Sequence, residues 1–203
     1  MAHMSERKKT GKEFEPKNGI KLHLGCGRRY IPGFIHIDLA DYPHIDYKTD
    51  ISDLPMFGDE SVDLLYCCHA LEYFDRQEAQ EKVLPEWYRV LKRSGMLRLA
   101  VPDFEALVKV YQEYRDLGLV LGPLYGRMVI ETPQERKTIY HKTVYDFRSL
   151  KDILEETGFT NIHRYDWRKT VHKDYDDFSQ AYIPHMDKEK GLLISLNIEA
   201  EKS

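Results

Sequence analysis

Cysteine is scarce in this chain: Cys26, Cys67 and Cys68 are the only three, two of them adjacent, which excludes a disulfide framework and fits a reducing compartment. Long apolar runs are missing too. None approaches the ~18 residues that a membrane helix needs, and no charged-then-apolar leader opens the chain, so no membrane association is expected and the expected location is cytoplasmic. Charge of one sign is also lacking, since 30 Lys+Arg against 34 Asp+Glu leave a net −4, which argues against a dedicated nucleic-acid surface. Histidines occur without metal-ligand spacing: His172 and His185 have no third ligand beside them, and no metal site is expected. There is no internal repeat and no low-complexity tract. Nothing in the pattern fixes an oligomeric state.

A length of 203 residues is expected to give one domain with a full core. Met1-Ala-His-Met4 reads as a cloning remnant, and Ser5 to Asn18 is polar and basic. Residues 1–18 are therefore expected to be a flexible arm, with Arg7, Lys8, Lys9 and Lys12 as solvated charge rather than a nucleic-acid tail. The domain proper is expected over 19–203, with an insertion or lid at about 118–145, where Gly, Pro and Tyr are scattered and periodicity is weak.

What the chain does have begins at Lys21-Leu-His-Leu-Gly-Cys-Gly27, followed by Phe34-Ile-His-Ile-Asp38. An apolar strand runs into two glycines one residue apart, and a second strand ends on a carboxylate. Such glycines let backbone approach a ligand that a Cβ would repel, and a carboxylate so placed can accept from both hydroxyls of a ribose. The dinucleotide form is not met, because its third glycine would fall on Tyr30.

Further strands are expected at Ile45–Thr49, Val62–Cys67, Met96–Val101, Thr160–Trp167 and Leu192–Ala200. Helices are expected at Glu78–Lys92, Phe104–Leu117 and Phe147–Thr157, the last stopped by Gly158. Alternation of this kind implies an α/β fold with a mostly parallel sheet, and two final strands without a helix between them imply an antiparallel edge. One interval is awkward. Between Leu24 and Phe34 there are too few residues for a helical crossover, so the first helix is expected to shrink to a turn, with a β-hairpin over Leu22–Asp38 as the competing local reading.

Taken in order, these pieces resemble the class I S-adenosylmethionine-dependent methyltransferases, a small bacterial-type subgroup with a shortened first helix. Leu24-Gly25-Cys26-Gly27 resembles the family's first motif, and Asp38 its ribose-binding acid. Asp50-Ile51-Ser52-Asp53-Leu54-Pro55 is similar to the adenine-holding segment. Ser61 to Phe74 resembles the fourth strand and its loop, and Tyr88 to Pro102 the helix-turn-strand that enters the fifth.

The resemblance implies a single-domain Rossmann-like fold, with a seven-stranded, mostly parallel sheet, an antiparallel last strand and helices on both faces. It implies S-adenosyl-L-methionine as cofactor, held by Leu24, Gly25, Cys26, Gly27, Asp38, Leu39, Asp50, Ile51, Cys68 and His69. The methionine end would lie on the glycines, the ribose on Asp38, and the adenine on Asp50 and Ile51. Cys68 is expected to be a small packed side chain rather than a reactive thiol.

The acceptor is expected to be a small polar molecule, with a saccharide or related metabolite as the class in view. His141, His69 and Asp103 are the candidates for a catalytic base, with Tyr145 beside them, and Tyr30, Tyr145 and Asp177 are the candidates for acceptor contacts. Two other classes are weighed against this. A nucleotide-cofactor oxidoreductase would need the third glycine, and a non-catalytic Rossmann-like binding module would not need intact cofactor motifs.

Overall fold

The computed structural model describes residues 19–131 and 135–203. The N-terminal arm expected over 1–18 lies outside the described residues. Strand β1 (Lys21–Leu24) and strand β2 (Ile35–Asp38) pair in parallel, with Leu22 opposite Ile35 and Leu24 opposite Ile37. That register removes the hairpin reading. The crossover is made of turns, and no helix is present between Leu24 and Ile35.

The edge strand β3 is only Tyr47–Lys48, both exposed. β4 (Val62–Cys68) is buried along most of its length and pairs in parallel with β1 and with the strand Leu91–Pro102, as its unbroken apolar run requires. A helical run follows, Arg76–Glu78, Ala79–Val83 and Leu84–Val90, here α1; its start is fixed by a reciprocal capping box between Asp75 and Glu78. β5 (Leu91–Pro102) takes over directly, so Ser94-Gly95 interrupts a strand rather than ending a helix. The register to β4 shifts there, and Ser94 adopts a left-handed conformation (φ 57°).

α2 (Phe104–Tyr114) starts on an Asp103 cap and stops at left-handed Arg115, short of Leu117. The weakly periodic stretch that follows is ordered into helix α3 (Gly118–Tyr125) and an antiparallel hairpin of β6 (Met128–Glu131) and β7 (Arg136–Ile139). α4 (Phe147–Thr157) ends on Gly158, as expected. β8 (Phe159–Arg164) stops before Trp167, which sits in a 3-10 turn. The expected strand Leu192–Ala200 is divided: β10 (Leu192–Leu193) pairs with β9 (Tyr182–Ile183), and β11 (Ser195–Lys202) joins the main sheet.

The sheet order is β3-β2-β1-β4-β5-β11-β8. β11 is antiparallel to both neighbours, so the antiparallel strand lies one in from the edge. α1 and α4 bury Leu84, Trp87, Leu150, Ile153 and Leu154 against one sheet face, with Leu65, Leu97 and Leu99. The other face, expected to carry helices as well, packs Leu64, Tyr66 and Ala100 against Ile31 and Phe34 of the first crossover, with the short turn at Phe178–Gln180 near β5 and β11. A crossover this short leaves no room for a covering helix. Strand order reverses between β1 and β4, and the carboxyl edge at such a reversal is where open α/β sheets bind ligands.

Candidate active site

A cavity of about 740 Å³ opens at that edge, within the usual size of a small-molecule site. Its floor is the loop after β1. Gly25 and Gly27 both take positive φ (62° and 53°); a Cβ on Gly25 would run into Ala70, whereas a Cβ on Gly27 would point into open space. Glycine at 27 therefore keeps clear the surface on which a ligand would lie.

Asp38 ends β2 beside this loop. Its Oδ2 accepts from Gly27 N–H (2.7 Å) and its Oδ1 from Ala40 N–H (2.8 Å). Each oxygen keeps a second lone pair, so the carboxylate braces the loop and can still accept from a diol. Asp50 accepts from Ser52 N–H (2.8 Å), the local turn expected of its residue type, and Ile51 is fixed by Trp87, whose Nε1–H donates to the Ile51 carbonyl (2.8 Å).

Of the expected cofactor residues, Gly25, Cys26, Gly27, Asp38, Leu39, Asp50, Ile51, Cys68 and His69 line the cavity. Leu24 does not; it is fully buried beneath the loop as core. Burial, with Asp38 nearby, pushes the Cys26 thiol up to about 12, and burial likewise holds Cys68 well above its ordinary range, so both are packing groups.

The expected bases separate. His69 lines the cavity, but its Nε2 lies 3.1 Å from Ser195 Oγ, and burial together with His141 pushes it down to about 3. His141 is outside the cavity, with Nδ1 3.0 Å from the Pro123 carbonyl and burial holding the ring below its ordinary range. Asp103 is also outside. It caps α2 by accepting from Glu105 and Ala106 N–H (3.1 and 3.4 Å), and it pairs with Arg164 Nη1 (3.0 Å). Tyr145 is buried away from the cavity, its hydroxyl without a hydrogen-bond partner among the described residues and its pKa raised by that burial.

Tyr30 and Asp177 meet in a second cavity of about 260 Å³, with Tyr175 and the aspartates 174 and 176. Arg28, Arg29 and Asp177 line both cavities, which makes Asp177 the junction. Its Oδ2 accepts from Tyr66 O–H (2.6 Å), and its Oδ1 from Ser179 N–H (2.9 Å) and Oγ–H (2.5 Å); burial nevertheless holds its pKa above the ordinary carboxylate value.

Several lining residues carried no signal in the sequence. Arg127, Met128, Val129, Ile130 and Ile139 arrive on the β6–β7 hairpin, and Tyr73 and Phe178 on short 3-10 turns. Strands this short show too little alternation to be read.

The strand order, the antiparallel β11 and the glycine-floored site together define the class I methyltransferase fold. Residues 37–99 match the model of the family described as "Methyltransferase domain". Among curated relatives, the glycine/sarcosine N-methyltransferase of Aphanothece halophytica is 28% identical over 140 residues, 59% of this chain and 50% of that protein. The chain thus spans about half the length of that relative.

Among solved structures, a SAM-dependent methyltransferase from Archaeoglobus fulgidus superposes with a TM-score of 0.54 at 19% identity, covering 91% of this chain and 86% of that one. The 1,6-didemethyltoxoflavin-N1-methyltransferase of Burkholderia thailandensis, solved with 1,6-didemethyltoxoflavin and S-adenosylhomocysteine, gives 0.51 at 14% identity, covering 91% and 71%. Matched segment and superposed structures make the chain similar to the class I S-adenosylmethionine-dependent methyltransferases, whose fold it has. No helix among the described residues is long and apolar enough to cross a membrane.

Proposed function

We propose that this chain transfers a methyl group from S-adenosylmethionine to a small polar acceptor carrying a hydroxyl, a saccharide being the class that suits the site best. The observation that carries this reading is the meeting of two cavities at Arg28, Arg29 and Asp177. One has the glycine floor and Asp38, and the other is walled by aspartates and tyrosines. Carboxylates accept from vicinal hydroxyls, and tyrosine rings offer faces for a sugar ring.

S-adenosylmethionine supplies a methyl already activated by its sulfonium. The chain's own part is orientation and proton removal. Gly27 leaves room for the methionine end, Asp38 accepts from the ribose, and Asp50 with Ile51 holds the adenine. The insertion at about 118–145 closes over them through its hairpin. Asp177, aimed by Tyr66 and Ser179, takes the proton of the acceptor hydroxyl on its remaining lone pair. Orientation and a positioned base together account for much of the rate expected of such a site.

Thermal melting with added ligand is the test. S-adenosylmethionine or S-adenosylhomocysteine is expected to raise Tm by mass action, and NADH to leave it unchanged. A rise with NADH and none with either sulfur compound would turn the reading to an oxidoreductase. With cofactor binding in hand, a panel of monosaccharides and polyols assayed with methyl-labelled cofactor identifies the acceptor class.

A further inference from the structure

Glu72 follows β4 on the turn Leu71–Tyr73 and is completely buried. Among the described residues, neither of its carboxyl oxygens has a hydrogen-bond partner. Two imidazoles face the same oxygen: His69 Nδ1 and His141 Nε2 each stand 3.6 Å from Glu72 Oε1. That is too long for a formed hydrogen bond.

The rest of the network fixes which ring nitrogens carry hydrogen. His141 Nδ1 lies 3.0 Å from the Pro123 carbonyl, which can only accept, so Nδ1 holds the hydrogen and a neutral ring leaves Nε2 bare. Ser195 Oγ donates to Asn197 Oδ1 (2.9 Å), while Asn197 Nδ2 donates to the Ser179 carbonyl (2.8 Å). Ser195 Oγ is therefore the acceptor for His69 Nε2–H (3.1 Å), and His69 Nδ1 is bare as well. Two lone pairs and a carboxyl oxygen converge without a hydrogen among them. A proton on Oε1 turns that convergence from repulsion into attraction.

We propose that Glu72 is a neutral carboxylic acid at neutral pH, and that its proton is the positioning link between His69 on the cofactor cavity and His141 in the 118–145 insertion. The surroundings agree. Cys67 and Cys68 face Glu72 from β4, Tyr73 from its own turn and Tyr145 from the approach to α4, and none of these is a cation. Among the described residues, the two imidazoles are the only basic groups within ion-pair distance of the carboxyl. Burial accordingly pushes Glu72 up to about 8.

The link reaches the insertion because His141 is packed without slack. A Cβ on Gly126 would run into its ring, and Tyr73 meets it edge-on while donating from its hydroxyl to the Gly126 carbonyl (2.7 Å). The next residues after Gly126 are those that line the cavity. Glu72 is thus a positioning residue. It lines neither cavity, and the effect on the cofactor rests on the methyltransferase reading, whereas the protonation does not.

Two measurements on the full chain test this. The infrared spectrum at pH 7 is expected to contain the carbonyl band of a buried carboxylic acid, absent in Glu72→Gln and vanishing from the native protein as pH rises through about 8. Calorimetry with S-adenosylhomocysteine is expected to show native affinity falling by about tenfold per pH unit above that point, the slope of one linked proton. Glu72→Gln, whose amide is isosteric with the acid and always able to donate, is expected to bind with no such alkaline decline.

The proposal is overturned by an ionised Glu72 at pH 7, seen as no band, or by the same alkaline decline in Glu72→Gln. If S-adenosylhomocysteine binds neither protein while the Glu72 band is present, the cofactor reading fails. The link is then read from melting: an alkaline fall in Tm in the native protein that Glu72→Gln lacks supports it, and equal falls overturn it.

Discussion

A single carboxylate can brace a loop and hold a ligand, and Asp38 is placed to do both. Its two oxygens accept from Gly27 and Ala40, each keeps a lone pair, and the residue lines the cavity. Asp38→Ala is expected to weaken S-adenosylhomocysteine binding by about 2–3 kcal/mol, the scale for losing charge-assisted hydrogen bonds. The variant is expected to fold, since Asp38 lies at the end of a strand rather than in the core. Calorimetry checks this, and unchanged affinity would mean that the ribose is held elsewhere. This residue was legible in the sequence because a strand ending on Asp after a glycine loop is a local pattern. Glu72 was not. Its sequence shows a carboxylate in a loop; only the fold reveals that it is sealed from water and faced by His141, far along the chain. Asp103 misled in the opposite direction, because an Asp before a helix is equally a cap, and here it is one.

Elements with strong local signals came out as the sequence described them. The buried run of β4, the apolar spacing of α1 and the Gly158 stop of α4 are each written within a dozen residues. The β6–β7 hairpin and the break between β10 and β11 were not legible, because four-residue and two-residue strands take their definition from partners rather than from alternation. α4 offers a clean test of an element apart from the site. Its N-terminus is held by Asp146, whose Oδ1 accepts from Ser149 N–H (2.7 Å), while Asp146 N–H donates to Ser149 Oγ (3.1 Å). Asp146→Ala removes the cap and is expected to destabilise the protein by about 1 kcal/mol, lowering Tm by about 2–4 °C for a chain of this size. S-adenosylhomocysteine affinity at a temperature well below Tm is expected to be unchanged, because Asp146 lines neither cavity. A loss of affinity would show that α4 and the site are coupled.

At the scale of the molecule, stability against pH is set by how many titratable groups the fold seals in their neutral forms. His23 and His172 both stack on Tyr66, at ring separations of 5.2 and 4.2 Å, and His36 adjoins His23. Burial lowers all three; His172 is pushed to about 3, as is His69. Neither ring nitrogen of His172 has a hydrogen-bond partner among the described residues. Below the ordinary histidine pKa of about 6.5 the unfolded chain binds protons that these native rings refuse, so stability falls as pH drops from there toward about 3. Glu72 acts on the other side. Its folded value of about 8 exceeds its ordinary 4.5, so the native state keeps a proton that the unfolded chain has lost, and stability falls as pH rises across that interval. These four histidines, with His141 as a fifth that burial lowers, outweigh one glutamate below pH 6.5, and above it only Glu72 acts among these groups. The melting temperature is therefore expected to peak near pH 6.5 and to decline on both sides. His172→Phe keeps a ring against Tyr66 and removes one titrating group, so its acid decline is expected to be shallower by up to one proton, about 1.4 kcal/mol per pH unit at most. Melting curves from pH 4 to 9 on both proteins decide it: an acid limb of equal steepness in the two would show that His172 already takes up its proton in the native state.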